Sequence, residues 1–111
     1  VLGNHLIIDI YDVPNRGLID KEYFEGVLTK AVLDAGAKIL MKFFHSFGED
    51  FGFTGVICLK ESHVSIHTWP EHSYAAVDVF MCGEADAWKV ARHLMTVMPT
   101  SKFKISAQPR G

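Results

Sequence analysis

Between Glu61 and Glu71 the chain reads Glu-Ser-His-Val-Ser-Ile-His-Thr-Trp-Pro-Glu, which places two His, two Ser, a Thr, a Trp and two Glu in eleven residues flanked by apolar segments. Burying so many polar groups costs free energy unless each finds a partner, so a site explains the stretch better than packing does. Three readings compete. His63 and His67, four apart, share a strand face and could hold a metal with Cys82 or His45. Two histidines on one strand more often bond only backbone or water. Cys82 could be a thiol nucleophile with His67 as its base, although nothing in the sequence supplies the oxyanion donors. Alternation puts Tyr74, Ala76, Asp78, Phe80 and Cys82 on one face, so that thiol shares a face with a carboxylate. In the third reading Cys82 is a small buried hydrophobe and each histidine is satisfied locally, which accounts for any one of them but not for the cluster.

These residues need a scaffold, and the periodicity supplies one. His5–Val13 reads as a strand ending in a turn at Pro14-Asn15-Arg16-Gly17. Ile19, Tyr23, Val27, Ala31 and Ala35, with Phe24, Leu28 and Val32 beside them, mark a helix that Gly36 stops. Lys38–Phe47, Phe53–Lys60, His63–Trp69 and Tyr74–Cys82 read as four short strands. Asp86 caps a second helix whose apolar face is read as Trp88, Ala91, Met95 and Met98, with Pro99 ending it before a last strand at Lys102–Ala107. The order predicts an α+β two-layer sandwich, a mostly antiparallel sheet with two helices on one face, formed by residues 1–111 as a single domain.

Composition narrows the function. Eleven Lys and Arg against thirteen Asp and Glu leave a net charge of −2, which gives no bulk attraction to nucleic acid or an anionic membrane. No apolar run approaches the roughly 20 residues that span a bilayer, and no secretory features are seen, so a soluble, cytoplasmic protein is expected. Cys58 and Cys82 are then expected to be free thiols, with packing the better account of Cys58. A domain of 111 residues has limited surface to enclose a substrate, so a cleft completed by a second copy is expected.

Taken together, Lys60-Glu61-Ser62-His63-Val64-Ser65-Ile66-His67-Thr68-Trp69-Pro70-Glu71 and Ala75-Ala76-Val77-Asp78-Val79-Phe80-Met81-Cys82-Gly83 closely resemble the bacterial and archaeal class of S-adenosylmethionine decarboxylase. Leu2-Gly3-Asn4-His5-Leu6, Phe44-His45-Ser46-Phe47 and Gly55-Val56 extend the likeness over nearly the whole chain. The resemblance implies a proenzyme that cuts itself between Glu61 and Ser62 into a β chain, residues 1–61, and an α chain, residues 62–111. Ser62 would become the pyruvoyl group that forms the Schiff base with substrate, with neither metal nor pyridoxal phosphate required. His67 matches the histidine that assists processing, and Thr54 falls where the family usually has a serine in support of it. Cys82 matches the proton donor; Phe47, Trp69 and Glu71 match the substrate-binding wall. The family also implies a homodimer of processed αβ units with S-adenosylmethionine as substrate, serving spermidine and other polyamine synthesis.

The sequence departs from the family pattern at several points. The loop between His45 and Thr54 is one residue longer, lacks a proline, and carries Glu49 and Asp50. Met81 replaces a threonine, and His72-Ser73 stands where a glycine often precedes the tyrosine. The same chemistry on arginine or ornithine is therefore an alternative, as is an unprocessed, non-enzymatic ligand-binding homologue. In an unbroken strand Ser62 and His67, five apart, point to opposite faces, so a bend at Glu61-Ser62 is expected.

Overall fold

The structure, a computed structural model, describes residues 1–100 and 102–111. Strand β1 (Gly3–Ile10) is followed by helices α1 (Asn15–Ile19) and α2 (Lys21–Asp34), strands β2 (Ile39–Ser46), β3 (Phe53–Leu59), β4 (Ser62–Trp69) and β5 (Tyr74–Cys82), helix α3 (Ala87–Val97) and strand β6 (Phe103–Arg110). The six strands form one sheet in the order β2-β3-β4-β5-β1-β6, and every pairing is antiparallel. β2 to β5 are successive hairpin neighbours, while β1 inserts between β5 and β6. The α+β two-layer sandwich expected from the sequence is thus present, with a wholly antiparallel sheet.

Alternation explains how the sheet acquires two different faces. Leu6, Ile8 and Ile10 of β1, Ile57 and Leu59 of β3, Val64 and Ile66 of β4, and Val77, Val79 and Met81 of β5 are buried toward the helices. Against them pack Phe24, Leu28, Ala31 and Val32 of α2 and Ala87, Val90, Ala91 and Leu94 of α3. The opposite face carries His5, Ile7, Val56, His63, His67, Asp78 and Phe80 and has no helix over it among the described residues. Asp20 and Asp86 cap α2 and α3, accepting from the backbone N–H of Tyr23 and Trp88.

Two local readings change. Pro14–Ile19 is not only a turn: Asn15–Ile19 forms the single-turn helix α1, which buries Leu18. On α3 the apolar stripe is rotated: Ala91 and Met98 of the expected face are buried, but Trp88 and Met95 are exposed, and the small residues Ala87 and Val90 meet the core in their place. Small side chains let the helix sit close to α2 and β1, which bulky Trp and Met would hold away.

Thr68 ties the layers together. Its hydroxyl donates to the Leu18 carbonyl at 2.7 Å and accepts from the Phe53 N–H at 3.0 Å, which makes this buried polar residue a junction of α1, β3 and β4. Ser73, after a 3₁₀ turn at Pro70–His72, has φ +52, in the left-handed region that suits glycine. A Ser73→Gly chain is expected to gain up to about 1 kcal/mol, the strain relieved less the added freedom of the unfolded chain. A thermal melt checks this: the midpoint rises by a few degrees.

Candidate active site

The expected site residues fall into two groups at opposite ends of β4. The first surrounds the Glu61–Ser62 bond. Leu59 pairs with Ser62, so Lys60 and Glu61 form a two-residue hairpin turn. Glu61 has φ +64, a conformation that costs a residue with a Cβ roughly 1–2 kcal/mol. The strained turn expected here is present at Glu61, but Ser62–Trp69 runs on as an unbroken strand, so it does not bring Ser62 to the face of His67. Ser62 begins β4, and its hydroxyl accepts a hydrogen bond from the Cys82 backbone N–H at 3.1 Å. A cleft of about 320 Å³ opens onto this corner, lined in part by Lys60, Glu61, Ser62 and Cys82.

Gly3 completes this group. β1 pairs Gly3 with Cys82, and a Cβ at Gly3 would lie 2.3 Å from the Met81 carbonyl oxygen and 2.9 Å from the Cys82 Sγ. Only glycine lets β1 approach the thiol this closely. The sequence marks Gly3 only through the resemblance, because nothing local signals a close approach between strands far apart in the chain.

The second group lies at the other end of β4. Thr54 and His67 are register partners on β3 and β4, and the Thr54 hydroxyl lies 2.5 Å from His67 Nδ1. The same hydroxyl is 3.5 Å from the Ile66 carbonyl. If it donates there, His67 Nδ1–H donates to Thr54 Oγ1, and the ring's Nε2 is not engaged by Thr54. The His67 ring is 6.1 Å from that of Trp69, and Trp69 stacks on Tyr74 at 5.4 Å. Tyr74 is anchored in turn, its hydroxyl donating to Asp9 of β1 at 2.5 Å. That contact with the Asp9 carboxylate is the first cause, and burial the second, of a phenol pKa pushed up to about 12, so Tyr74 stays a donor throughout the neutral range. Phe47, Phe51, His67, Trp69 and Glu71 line a cavity of about 360 Å³. Phe51 was not singled out from sequence, since an isolated aromatic in a loop carries no periodic signal.

Ser62 and His67 do not meet within one chain. Ser62 lies opposite Leu59, on the helix-facing side, whereas His67 points to the open side. Five residues of extended strand separate them by about 16 Å. Glu49 and Asp50 stand in the loop between β2 and β3, and the cavity is lined by aromatic residues rather than by that acidic pair. His63 and His67 share the open face, but His63 contacts the rings of His5 and Phe80 while His67 contacts Thr54 and Trp69. His5 in addition lies against Asp78, with Nε2 to Oδ1 at 3.1 Å, a pair that sequence reasoning did not anticipate.

The fold is that of a solved enzyme: the crystal structure of the adenosylmethionine decarboxylase from Aquifex aeolicus VF5 matches at a TM-score of 0.88 and 33% identity, covering 99% of this chain and 91% of that one. The sequence model of the family described as S-adenosylmethionine decarboxylase matches residues 4–111. The chain belongs to that family. Among curated relatives, the S-adenosylmethionine decarboxylase proenzyme of Thermotoga petrophila is 37% identical over 111 residues, 99% of this chain and 85% of the relative. The protein of the same description from Moorella thermoacetica is 44% identical over 104 residues, 93% of this chain and 78% of the relative.

Proposed function

We propose that this chain is a self-processing decarboxylase of S-adenosylmethionine that forms its reactive carbonyl from Ser62. The observation that carries the reading is the left-handed Glu61 joined to Ser62, with the Ser62 hydroxyl already held by the Cys82 N–H. In self-cleavage the Ser62 Oγ attacks the Glu61 carbonyl carbon, the peptide nitrogen leaves with a proton, and an ester joins the two residues. A base then removes the Ser62 α-proton; the Cβ–O bond breaks, and Glu61 departs as a carboxylate. The resulting dehydroalanine hydrolyses to a ketone and ammonia. Ordinary extended geometry at Glu61 would give this sequence no conformational push; a strained turn relaxes as the bond breaks.

The Ser62 hydroxyl and its partner fit such a group, and a ketone at residue 62 supplies the electron sink that decarboxylation requires. In this reading the Cys82 thiol, on the open face beside Gly3, returns a proton to the substrate carbon. Phe47 and Trp69 offer flat apolar faces to a purine, and Glu71 offers a carboxylate to ribose hydroxyls or to the sulfonium. The aromatic lining favours this substrate over ornithine, which has no flat group, and over arginine, whose planar guanidinium covers far less apolar area than a purine.

Processing residues at opposite ends of β4 call for a second copy. The open face exposes Ile7, Met41, Phe43 and part of Trp69, and a sheet with one bare apolar-rich face commonly packs it against another layer. A face-to-face homodimer about a two-fold axis running across the strands reverses β4. It brings His67 and the aromatic wall of one protomer to the end of β4 in the other where the Glu61–Ser62 turn and the open-face Cys82 thiol lie, although the Ser62 side chain itself starts on the helix-facing side.

Denatured intact mass tests the reading. Fragments of residues 1–61 and 62–111, the second carrying a ketone that reacts with hydroxylamine, are expected. A chain that stays whole on long incubation, with Ser62 intact, would leave only the binding-module reading. Comparing carbon dioxide release from S-adenosylmethionine, arginine and ornithine then separates the substrates.

A further inference from the structure

Phe51 has no part in the core. It is 62% exposed, as Phe47 is at 61%, yet its position is tightly specified. The Phe51 N–H donates to the Gly48 carbonyl at 3.1 Å, and the Phe47 N–H donates to the Gly52 carbonyl at 3.0 Å, closing the β2–β3 connection into a double turn. Gly48 has φ +129, and a Cβ there would meet the Phe51 ring at 3.3 Å, so the ring lies against bare backbone. On the other side Gly52 is pressed to β4: its Cβ would fall 2.2 Å from the Thr68 carbonyl oxygen. An exposed phenylalanine held from both sides, on the wall of a cavity it shares with Phe47, His67, Trp69 and Glu71, costs solubility without contributing to packing. A flat apolar ligand would remove that cost.

Resting on the function proposed above, we infer that Phe51 is a specificity-determining third aromatic wall of the substrate cavity, which selects a purine-bearing sulfonium over a linear basic amino acid. A cavity of about 360 Å³ is of a size that suits a nucleoside. Stacking a base on an aromatic side chain commonly changes affinity by about ten-fold or more on truncation to alanine. An amine would find Glu71 but has no face to stack, and a guanidinium, though it can stack, offers much less apolar area than a purine, so Phe51 discriminates by adding most affinity for the base.

The test uses the processed protein and 5′-deoxy-5′-methylthioadenosine, a nucleoside with no aliphatic amine to condense with the ketone, in titration calorimetry. Phe51→Ala is expected to weaken binding about ten-fold, and Phe51→Tyr, which keeps the ring, to bind within about two-fold of the parent. Turnover of S-adenosylmethionine by Phe51→Ala is expected to fall through KM more than through kcat. Cleavage before Ser62 and an unshifted melting temperature show that each variant has folded. Equal nucleoside affinity in parent and Phe51→Ala overturns the inference, provided Trp69→Ala weakens binding, because then the cavity is the site and Phe51 is idle in it. A parent that is cut but ignores the nucleoside while decarboxylating arginine overturns the inference together with the substrate assignment.

Discussion

Ser62→Ala and His67→Ala chains, each inactive when produced alone, are expected to recover activity when produced together. Ser62→Ala has no hydroxyl to attack the Glu61 carbonyl, so it is never cut and never acquires a ketone. His67→Ala keeps the proposed nucleophile but loses the group proposed to move protons, a change that would cost general acid–base chemistry about 10²- to 10⁴-fold. If each site takes Ser62 from one protomer and His67 from the other, a mixed dimer contains one site with both residues and one with neither. Random pairing makes half the dimers mixed, so cleavage and decarboxylation should return to about a quarter of the parent level. Mass spectrometry adds a sharper readout, because only the His67→Ala chain should be cut. A mixture as inactive as its components would place the whole site within one chain, despite the run of strand between the two residues.

Cys82→Ala should separate the two reactions. The hydrogen bond that holds the Ser62 hydroxyl comes from the Cys82 backbone, which the substitution leaves in place. Cleavage should therefore proceed. Decarboxylation should fall by about 10²- to 10⁴-fold, the usual effect of removing a positioned proton donor. Intact mass and carbon dioxide release measured on one preparation check both halves of the claim. An uncut Cys82→Ala chain would mean that the side chain, not only the backbone, serves processing; a fully active one would return Cys82 to the role of packing.

The strands were legible where one face is buried and the other is not. Tyr74–Cys82 alternates without interruption, and its burial follows the alternation residue by residue. Helix α2 was legible because Phe24, Leu28, Ala31 and Val32 recur at helical spacing. Helix α1 was not, since one turn has no period to detect. The buried side of α3 was read correctly at Ala91 and Met98 but not at Trp88 and Met95, because large apolar side chains flank the stripe on both sides and hydropathy alone does not say which of them meets the core. At the site, the residue types and their order along β3–β5 could be read directly. Their division between two ends of β4 could not, because it depends on the Thr54–His67 and Leu59–Ser62 register, which only the folded sheet fixes. The glycines show the same limit. Gly3 and Gly52 matter for what crosses in front of them, a carbonyl of β5 and a carbonyl of β4.

If the Glu61–Ser62 bond is cut as proposed, the strand order acquires a second meaning. β1, β2 and β3 then belong to one polypeptide and β4, β5 and β6 to the other, yet the sheet runs β2-β3-β4-β5-β1-β6. Of the five seams between neighbouring strands, β3–β4, β5–β1 and β1–β6 join different polypeptides, while β2–β3 and β4–β5 do not. The fragments are interleaved like clasped fingers, and neither can leave without tearing out three ladders of backbone hydrogen bonds. The proposed maturation would in this sense be a ratchet. The precursor folds as a single chain, but the cut protein, once denatured and diluted, must find its other half by diffusion, so its refolding becomes second order and its durability rests on how slowly it unfolds.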